Sequence, residues 1–200
     1  MAKLRFVYSA MNSGKSLRLL ALAHNFDEKH IPILVLKPSA DTRDGEDIVK
    51  SRAGLERECI SIGYDVDLFN AVNELNHVKM ATQGDTVKWI LVDECQFLSE
   101  EQVNQLSDIV DYLDIEVICY GLRTDFKTKL FPGSKRLFEL ADEIEEIKTS
   151  CECGKKASIN ARFSEDGTII TEGNQILVGG DDLYHAICRK EWKDLIRRKK

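Results

Sequence analysis

The sequence predicts an α/β protein: a parallel sheet flanked by helices and carrying a phosphate-binding loop, followed by a small β domain of the zinc-ribbon kind. Three observations lead to this fold class. Short apolar runs alternate with segments of helical periodicity over residues 1–148, which is typical of parallel sheets buried on both faces. The first apolar run leads into Gly14-Lys15-Ser16. Three cysteines and two hairpin-type turns lie in the last quarter of the chain.

The phosphate-binding loop follows an apolar strand, Leu4 to Tyr8, which we expect to be the central strand of the sheet. In such loops backbone N–H groups at the start of a helix contact phosphate oxygens, a lysine neutralises the outer phosphates and a hydroxyl binds Mg²⁺. Ser9 stands where the pattern G-x-x-x-x-G-K-S/T has its first glycine, so an accidental Gly-Lys-Ser at a helix start is the alternative. The residues expected to bind ATP and Mg²⁺ in this loop are Ser9, Ala10, Met11, Asn12, Ser13, Gly14, Lys15 and Ser16.

A heavily buried helix is predicted from Leu17 to Phe26, with His24 as a core or boundary residue. The next buried strand, 33–36, is followed by a charged segment without apolar periodicity, so residues 39–58 are predicted to form a long loop. Arg43 lies in this loop, past the carboxyl end of the strand, where open α/β sheets bind ligands. We interpret it either as a phosphate ligand or as a mobile surface arginine.

After a short strand at 59–62 and a helix from Leu68, an apolar strand ends in two consecutive carboxylates, Asp93 and Glu94. The first acid after such a strand commonly holds the Mg²⁺ shell of a nucleotide. Neighbouring strand residues point to opposite faces, so we expect Asp93 to serve the metal and Glu94 to face a second substrate. The alternative is a carboxylate pair that starts a loop or caps a helix.

A further helix is predicted to open at Ser99, and a strand at 116–120 completes another β-α unit. Two loops with apolar residues follow at 122–126 and 130–133. Apolar loop residues near a phosphate site suit a flat organic ligand, although they also pack on a domain in many proteins.

The sheet is expected to be complete by Lys148, which makes residues 1–148 the nucleotide-binding domain. Residues 149–192 are predicted to form a small domain in which zinc replaces a core too small to be stable alone. Residues 193–200 are predicted to be a solvated basic tail.

Three thiols, Cys151, Cys153 and Cys188, are the predicted zinc ligands. The fourth ligand is expected at Glu191, three residues after Cys188, and His185, three residues before it, is the alternative. The remaining interpretation is three buried or idle thiols.

The charge balance excludes some functions. The chain carries 28 Lys and Arg against 34 Asp and Glu, a net charge of −6, which argues against a general nucleic-acid coat or a membrane-surface protein. It shows no signal peptide pattern, and no run approaches the roughly 18 apolar residues of a membrane span. The scattered cysteines favour a reducing cytoplasm over a disulfide framework.

Four blocks together carry a resemblance to a known family: Ser9-Ala-Met-Asn-Ser-Gly-Lys-Ser16, Asp93-Glu-Cys-Gln-Phe97, Tyr120-Gly-Leu-Arg-Thr-Asp-Phe126 and Gly179-Gly-x-x-x-Tyr184-x-x-x-Cys188. In these blocks, in their order and over nearly its whole length, the chain resembles the cytosolic type II thymidine kinases, whose bacterial members also carry serine at the first P-loop position. The resemblance implies transfer of the γ-phosphoryl group of ATP to the 5′-hydroxyl of thymidine or deoxyuridine.

The resemblance also implies roles for individual residues. Glu94 corresponds to the general base, Lys15, Ser16 and Asp93 to the phosphate and Mg²⁺ ligands, and Gln96 and Arg43 join the ATP site. The residues corresponding to the nucleoside pocket and to the lasso-like loop over thymine are Met11, Phe97, Leu122, Phe126, Phe131, Leu177, Gly179 and Tyr184. The family's structural zinc corresponds to Cys151, Cys153 and Cys188, while Glu191 departs from the usual Cys or His.

As partners, the resemblance implies ATP and a nucleoside, a homotetramer, and inhibition by thymidine triphosphate, with no nucleic acid or membrane. Three other classes remain as alternatives. A helicase-like ATPase with Asp-Glu-x-x needs two ATPase lobes, and a nucleotide-gated switch of the guanine-specific kind needs Asn-Lys-x-Asp, which is absent from the sequence. A zinc-ribbon nucleic-acid module is disfavoured by the acidic charge balance.

Overall fold

The computed structural model describes residues 1–41, 45, 47–175 and 183–199. Six strands form the main sheet, and their bounds are β1 Leu4–Ser9, β2 Ile33–Pro38, β5 Ile60–Ile62, β6 Trp89–Val92, β7 Glu116–Leu122 and β8 Glu143–Glu146. They lie in the order β5-β2-β6-β7-β1-β8, and every neighbouring pair is parallel. The predicted α/β class is confirmed. Strand β1 is not central as expected, because only β8 separates it from the edge.

Helices cover both faces of this sheet, and their bounds are α1 Lys15–Glu28, α2 Leu68–Gln83, α3 Glu100–Leu113 and α4 Pro132–Leu140. Strand β6 is apolar at every position because both of its faces are covered. Ile90 and Val92 belong to the core cluster that includes residues of α2 and α3, whereas Leu91 belongs to the cluster that includes residues of α1. All three are fully buried, because alternate residues of a covered strand each meet a helix layer.

Helix α1 is more exposed than the sequence suggested. The side chain of His24 is 71% exposed and lies 3.5 Å from the carboxylate of Glu28, one turn later. Leu19, Leu20 and Ala23 supply the buried face instead. The prediction that His24 is a core or boundary residue is therefore wrong, because the apolar stripe is narrower than the run of apolar residues.

The segment 39–58 is not only a loop. It contains an antiparallel hairpin of β3 Ile48–Lys50 and β4 Glu56–Glu58. Val49 is the one buried residue of these two strands, so they lack an apolar alternation that the sequence analysis could detect. The buried ammonium of Lys37 anchors the hairpin by donating to the carbonyl oxygens of Gly45 at 2.7 Å and Ile48 at 2.9 Å.

The carboxyl-terminal part has its own core. Its strands and helix are β9 Thr149–Ser150, β10 Lys156–Ala157, β11 Ile159–Phe163, β12 Ile169–Ile170, β13 Tyr184–Ile187 and α5 Arg189–Lys199. Strand β11 pairs antiparallel with both β12 and β13. Leu195 and Ile196 of α5 pack against this core, so most of the predicted basic tail lies in a helix. Among the described helices, none is both long and apolar enough to cross a bilayer.

Candidate active site

The phosphate-binding loop connects the end of β1 to the start of α1. Gly14 caps the amino end of α1 with φ of 82°, a left-handed conformation that favours glycine. Its carbonyl oxygen accepts the first helical hydrogen bond, from Arg18, at 3.0 Å. The backbone N–H groups of the first turn and the positive end of the helix dipole make this terminus suited to phosphate.

Ser9 has a local role that glycine cannot fill. The ammonium of Lys15, only 7% exposed, donates to the hydroxyl oxygen of Ser9 at 3.0 Å and to the carbonyl oxygen of Ala10 at 3.3 Å. The Ser9 hydroxyl also hydrogen-bonds with the hydroxyl of Ser13. The serine that departs from the strict motif therefore connects Lys15 to the loop.

A cleft of about 660 Å³ opens over this loop. Its walls are the phosphate-binding loop, the β3–β4 hairpin with its turn, and the carboxyl end of β6. The ionisable residues that line it are Lys15, Lys37, Asp41, Lys50, Arg52, Asp93 and Glu94. Ammonium and guanidinium groups beside carboxylates suit a polyphosphate with a divalent cation. The phosphate-binding loop and the Asp93-Glu94 pair, which are far apart in the sequence, thus line one cleft.

Asp93 is the buried carboxylate of the pair, at 3% exposure. Burial, followed by the charge of Glu94, raises its pKa to about 7, although a hydrogen bond with the Ser16 side chain and the nearby Lys15 ammonium act in the opposite direction. A divalent cation at Asp93 and Ser16 would favour the ionised carboxylate. These two side chains thus form a donor set that fits Mg²⁺.

Glu94 lies beyond the end of β6, so strand alternation does not separate it from Asp93. Its backbone adopts φ of 49°, in the left-handed region, and its N–H donates to Oδ1 of Asp93 at 3.0 Å. The Glu94 side chain instead accepts a hydrogen bond from Nε2 of Gln96. The two carboxylates therefore have different partners, and a tight turn rather than strand alternation produces the difference.

The residues expected in a nucleoside pocket form two aromatic groups. The rings of Phe97 and Phe131 meet edge to face with centroids 5.8 Å apart. The guanidinium of Arg162 lies 5.4 Å from the centroid of Phe126 and 5.9 Å from that of Tyr184. Phe126 and Phe131 are buried, at 1% and 5% exposure, and none of these four aromatic side chains lines the phosphate cleft.

The predicted metal ligands converge in the small domain. Sγ of Cys153 lies 3.4 Å from Sγ of Cys151 and 3.6 Å from Sγ of Cys188, and Cys151 lies 2.6 Å from Oε2 of Glu191. All four ligand atoms fall within 4.8 Å of one another. A tetrahedral zinc with Zn–S bonds of about 2.3 Å places sulfur atoms about 3.8 Å apart, so this set is compatible with zinc.

The alternative ligand, His185, does not join this cluster among the described residues. It lies on β13, where its ring packs against that of Phe163 at 5.4 Å. The geometry therefore favours Glu191 as the fourth ligand.

Comparison with known proteins places the chain in a family. The profile described as thymidine kinase matches residues 2–192. The chain belongs to the thymidine kinase family. A thymidine kinase of Enterobacteria phage T4 is 48% identical over 198 residues, which cover 99% of each chain. Those of Haemophilus influenzae and Vibrio cholerae are each 46% identical and cover at least 97% of both chains.

Among solved structures, a helicase from Candida albicans is similar with a TM-score of 0.44 and 15% identity over 73% of this chain and 36% of that chain. The family match, which spans nearly the whole chain, does not favour the helicase-like alternative. As a member of a kinase family, the protein uses ATP and a metal ion.

In this member of the thymidine kinase family, the predicted site residues do not all line the cleft. Met11, Leu122, Asp93 and Glu94 line the cleft together with residues of the phosphate-binding loop. Gln96, expected in the ATP site, is instead buried behind Glu94. Arg43, Leu177 and Gly179 lie outside the described residues.

Sequence reasoning missed a residue of the small domain that reaches the phosphate-binding loop. Asn160, 2% exposed, accepts the N–H of Met11 at 2.8 Å and donates to the carbonyl oxygen of Thr124 at 2.9 Å. A polar residue between two apolar residues of a short strand was the available signal. It does not identify the partners, because Met11 and Asn160 are 149 positions apart.

Proposed function

We propose that the protein transfers the γ-phosphoryl group of ATP to the 5′-hydroxyl of thymidine, with deoxyuridine as a second acceptor, in nucleotide salvage. One observation carries the proposal: two adjacent carboxylates at the phosphate-binding cleft have separate partners, Asp93 beside Ser16 and Glu94 beside Gln96. A kinase needs such a division, because one acid serves the metal and the other serves the acceptor hydroxyl.

The residues divide the reaction between them. The loop N–H groups and Lys15 neutralise phosphate charge, and Ser16 and Asp93 are the groups that would hold Mg²⁺. Bound there, Mg²⁺ supplies further charge neutralisation at the phosphates. Glu94 accepts the proton of the 5′-hydroxyl. The hydroxyl oxygen forms the new bond to the γ-phosphorus as the bond between that phosphorus and ADP breaks. A general base of this kind typically contributes about 10²- to 10⁴-fold to the rate.

The acceptor is positioned by aromatic side chains in this proposal. Phe97 and Phe131 provide one apolar wall, while Phe126 and Tyr184 are stacked through Arg162. Met11 and Leu122, which also belong to the proposed pocket, line the phosphate cleft. Leu177 and Gly179, which lie outside the described residues, are assigned to the lasso-like loop on the family resemblance alone. Positioning of this kind lowers the entropic part of the barrier.

The proposal includes the remaining properties that the resemblance implies. A structural zinc is held by Cys151, Cys153, Cys188 and Glu191, whose donor atoms are mutually close. The active form is a cytoplasmic homotetramer that thymidine triphosphate inhibits. Its small-molecule partners are ATP and the nucleoside.

The test is a panel of nucleosides with γ-labelled ATP and the variants Glu94→Gln and Glu101→Gln. We expect the wild type to label thymidine and deoxyuridine, and Glu94→Gln to lose about 10²-fold or more in kcat while ATP binding stays nearly intact. Glu101→Gln is the matched control, since Glu101 is exposed on α3. Retained turnover in Glu94→Gln would remove Glu94 as the base. Nucleic-acid-stimulated ATP hydrolysis without thymidine labelling would favour the helicase-like alternative.

A further inference from the structure

We propose that Gln96 is a positioning residue for Glu94: its carboxamide holds the carboxylate of the general base and ties it to the end of β7. The inference rests on the proposed function, since it assigns Gln96 a part in the same phosphoryl transfer. This role differs from the ATP contact that the sequence predicted for Gln96. In the structure Gln96 contacts Glu94 and does not line the phosphate cleft.

Both ends of the Gln96 side chain have defined partners. The side chain is 1% exposed, and its Oε1 accepts the backbone N–H of Leu122 at 2.9 Å. A backbone N–H can only donate, so the oxygen of the amide must face Leu122 and the NH₂ group must face Glu94. The amide therefore has one orientation, in which it presents a donor to Oε2 of Glu94.

The backbone of β7 is held in turn. The carbonyl oxygen of Leu122 accepts a hydrogen bond from the hydroxyl of Ser134 at 2.6 Å, and Ser134 is fully buried in α4. Gly121 allows the close approach of Gln96, because a Cβ there would lie 2.7 Å from Oε1 of Gln96. A continuous set of hydrogen bonds thus runs from α4 through β7 to the carboxylate of Glu94.

The neutrality of the Gln96 side chain matters as well as its position. The other ionisable groups lining the cleft with Glu94 are Lys15, Lys37, Asp41, Lys50, Arg52 and Asp93. A cationic donor in place of Gln96 would favour the ionised carboxylate and weaken it as a proton acceptor. A neutral amide orients the carboxylate by a hydrogen bond without adding a charge. The arrangement therefore fixes the direction of the Glu94 carboxylate without placing a charge at this contact.

The variant Gln96→Glu tests this role, with Gln105→Glu as its matched control. Glutamate at 96 still accepts the Leu122 N–H, but it removes the donor and adds a like charge beside Glu94. We expect kcat for thymidine to fall about 10- to 100-fold while both KM values change less than about threefold. We also expect the acid limb of the kcat/KM profile to move about one pH unit higher. Gln105 likewise accepts a backbone N–H, from Leu68 at 2.9 Å, but it lies on α3, and its variant should match the wild type.

A second variant, Gln96→Met, removes both hydrogen bonds at similar volume and should lower kcat without a new charge. Activities are normalised to the fraction of protein that binds ATP. If Gln96→Glu and Gln96→Met keep kcat within about threefold of the wild type, and the acid limb does not move, the positioning role is overturned. Loss of ATP binding in both variants would also overturn it, in favour of a purely structural role. A wild type that does not phosphorylate thymidine would instead defeat the proposed function itself.

Discussion

Asp93 and Glu94 are adjacent in the chain, but their carboxylates have different surroundings. Asp93 is buried beside Ser16 and Lys15, and its raised pKa shows the cost of holding a charge there. Glu94 is turned away by a left-handed backbone conformation and lines the open cleft. Glu94 therefore has a sparsely populated backbone conformation, and residues of this kind commonly lie at functional sites. The division of roles between the two acids therefore depends on one residue's backbone.

Gly121 is a residue at which added volume should be damaging. In Gly121→Ala, the new Cβ would lie 2.6 Å from Sγ of Cys95 and 2.7 Å from Oε1 of Gln96, so these buried groups must shift. We expect a loss of about 1–3 kcal/mol in stability, which lowers the melting midpoint by at least about 2 °C, and a lower kcat. Calorimetry and the thymidine assay measure the two effects.

The control for this substitution is Gly63→Ala. A Cβ at Gly63 would meet Cγ2 of Val66 at 3.4 Å, which is an ordinary contact. Its melting midpoint and kcat should stay close to those of the wild type. A stable and fully active Gly121→Ala protein would show that the packing behind Glu94 adapts freely.

At the residue scale, contiguous motifs could be recognised in the sequence, whereas contacts between residues far apart in the chain could not. Gly14-Lys15-Ser16 and the Asp93-Glu94 pair could be recognised because each motif is contiguous and its chemistry follows from spacing. The contact of Gln96 with Leu122 joins positions 26 apart, and no local pattern encodes it. Side-chain partners across the fold depend on packing, which a single sequence does not reveal.

At the scale of elements, prediction succeeded where apolar patterns or caps were strong. Helix α3 begins as expected after Ser99, which forms a reciprocal capping box with Gln102. The β3–β4 hairpin was missed because Val49 is its single buried residue and charged side chains occupy most of its remaining positions. The buried Lys37 ammonium bonds to the carbonyl oxygens of Gly45 and Ile48, a contact that leaves no apolar pattern in the sequence.

Asn160 links strand β11 to two loops of the larger domain, so its removal should affect both stability and substrate binding. In Asn160→Ala, the buried N–H of Met11 and carbonyl oxygen of Thr124 lose their partner, which costs about 1–3 kcal/mol for each unsatisfied group. Because Met11 lines the cleft, we expect KM for thymidine to rise about tenfold, the equivalent of about 1.4 kcal/mol. Steady-state kinetics and thermal unfolding measure the two effects.

The matched control is Asn76→Ala, which removes an amide from α2. Oδ1 of Asn76 accepts the N–H of Val87 at 2.9 Å, so this variant should lose stability but keep the wild-type KM. An unchanged KM in Asn160→Ala would contradict the idea that the small domain positions the phosphate-binding loop.

For the whole molecule, the two domains differ in how much apolar core supports them. The larger domain has a buried cluster on each face of its sheet. The small domain has one cluster, and two of its buried residues are Cys151 and Cys188. A core of this size rarely stabilises a domain alone, so metal binding is expected to supply much of the folding free energy. The cysteines and the turns led to the prediction of a small domain, but the sequence could not show that Leu195 and Ile196 of α5 pack against its core.

Metal removal should therefore destabilise the small domain and reduce activity through Asn160, which joins that domain to Met11 and Thr124. We expect elemental analysis of the purified protein to find about one zinc per chain, and chelation to lower the melting midpoint by more than about 5 °C. The variant Glu191→Ala should weaken zinc binding at least about tenfold, since it removes one of four ligands.

Two controls separate the zinc site from general effects. His185→Ala should keep full zinc content, because that ring packs on Phe163 away from the thiols. Cys59→Ala removes a half-buried thiol outside the cluster and should keep it as well. Zinc content far below one per chain in the wild type would defeat the structural-zinc proposal. Loss of zinc in His185→Ala but not in Glu191→Ala would identify His185, and not Glu191, as the fourth ligand. The four donors already lie within 4.8 Å of one another, so the bound metal would need little rearrangement of the fold.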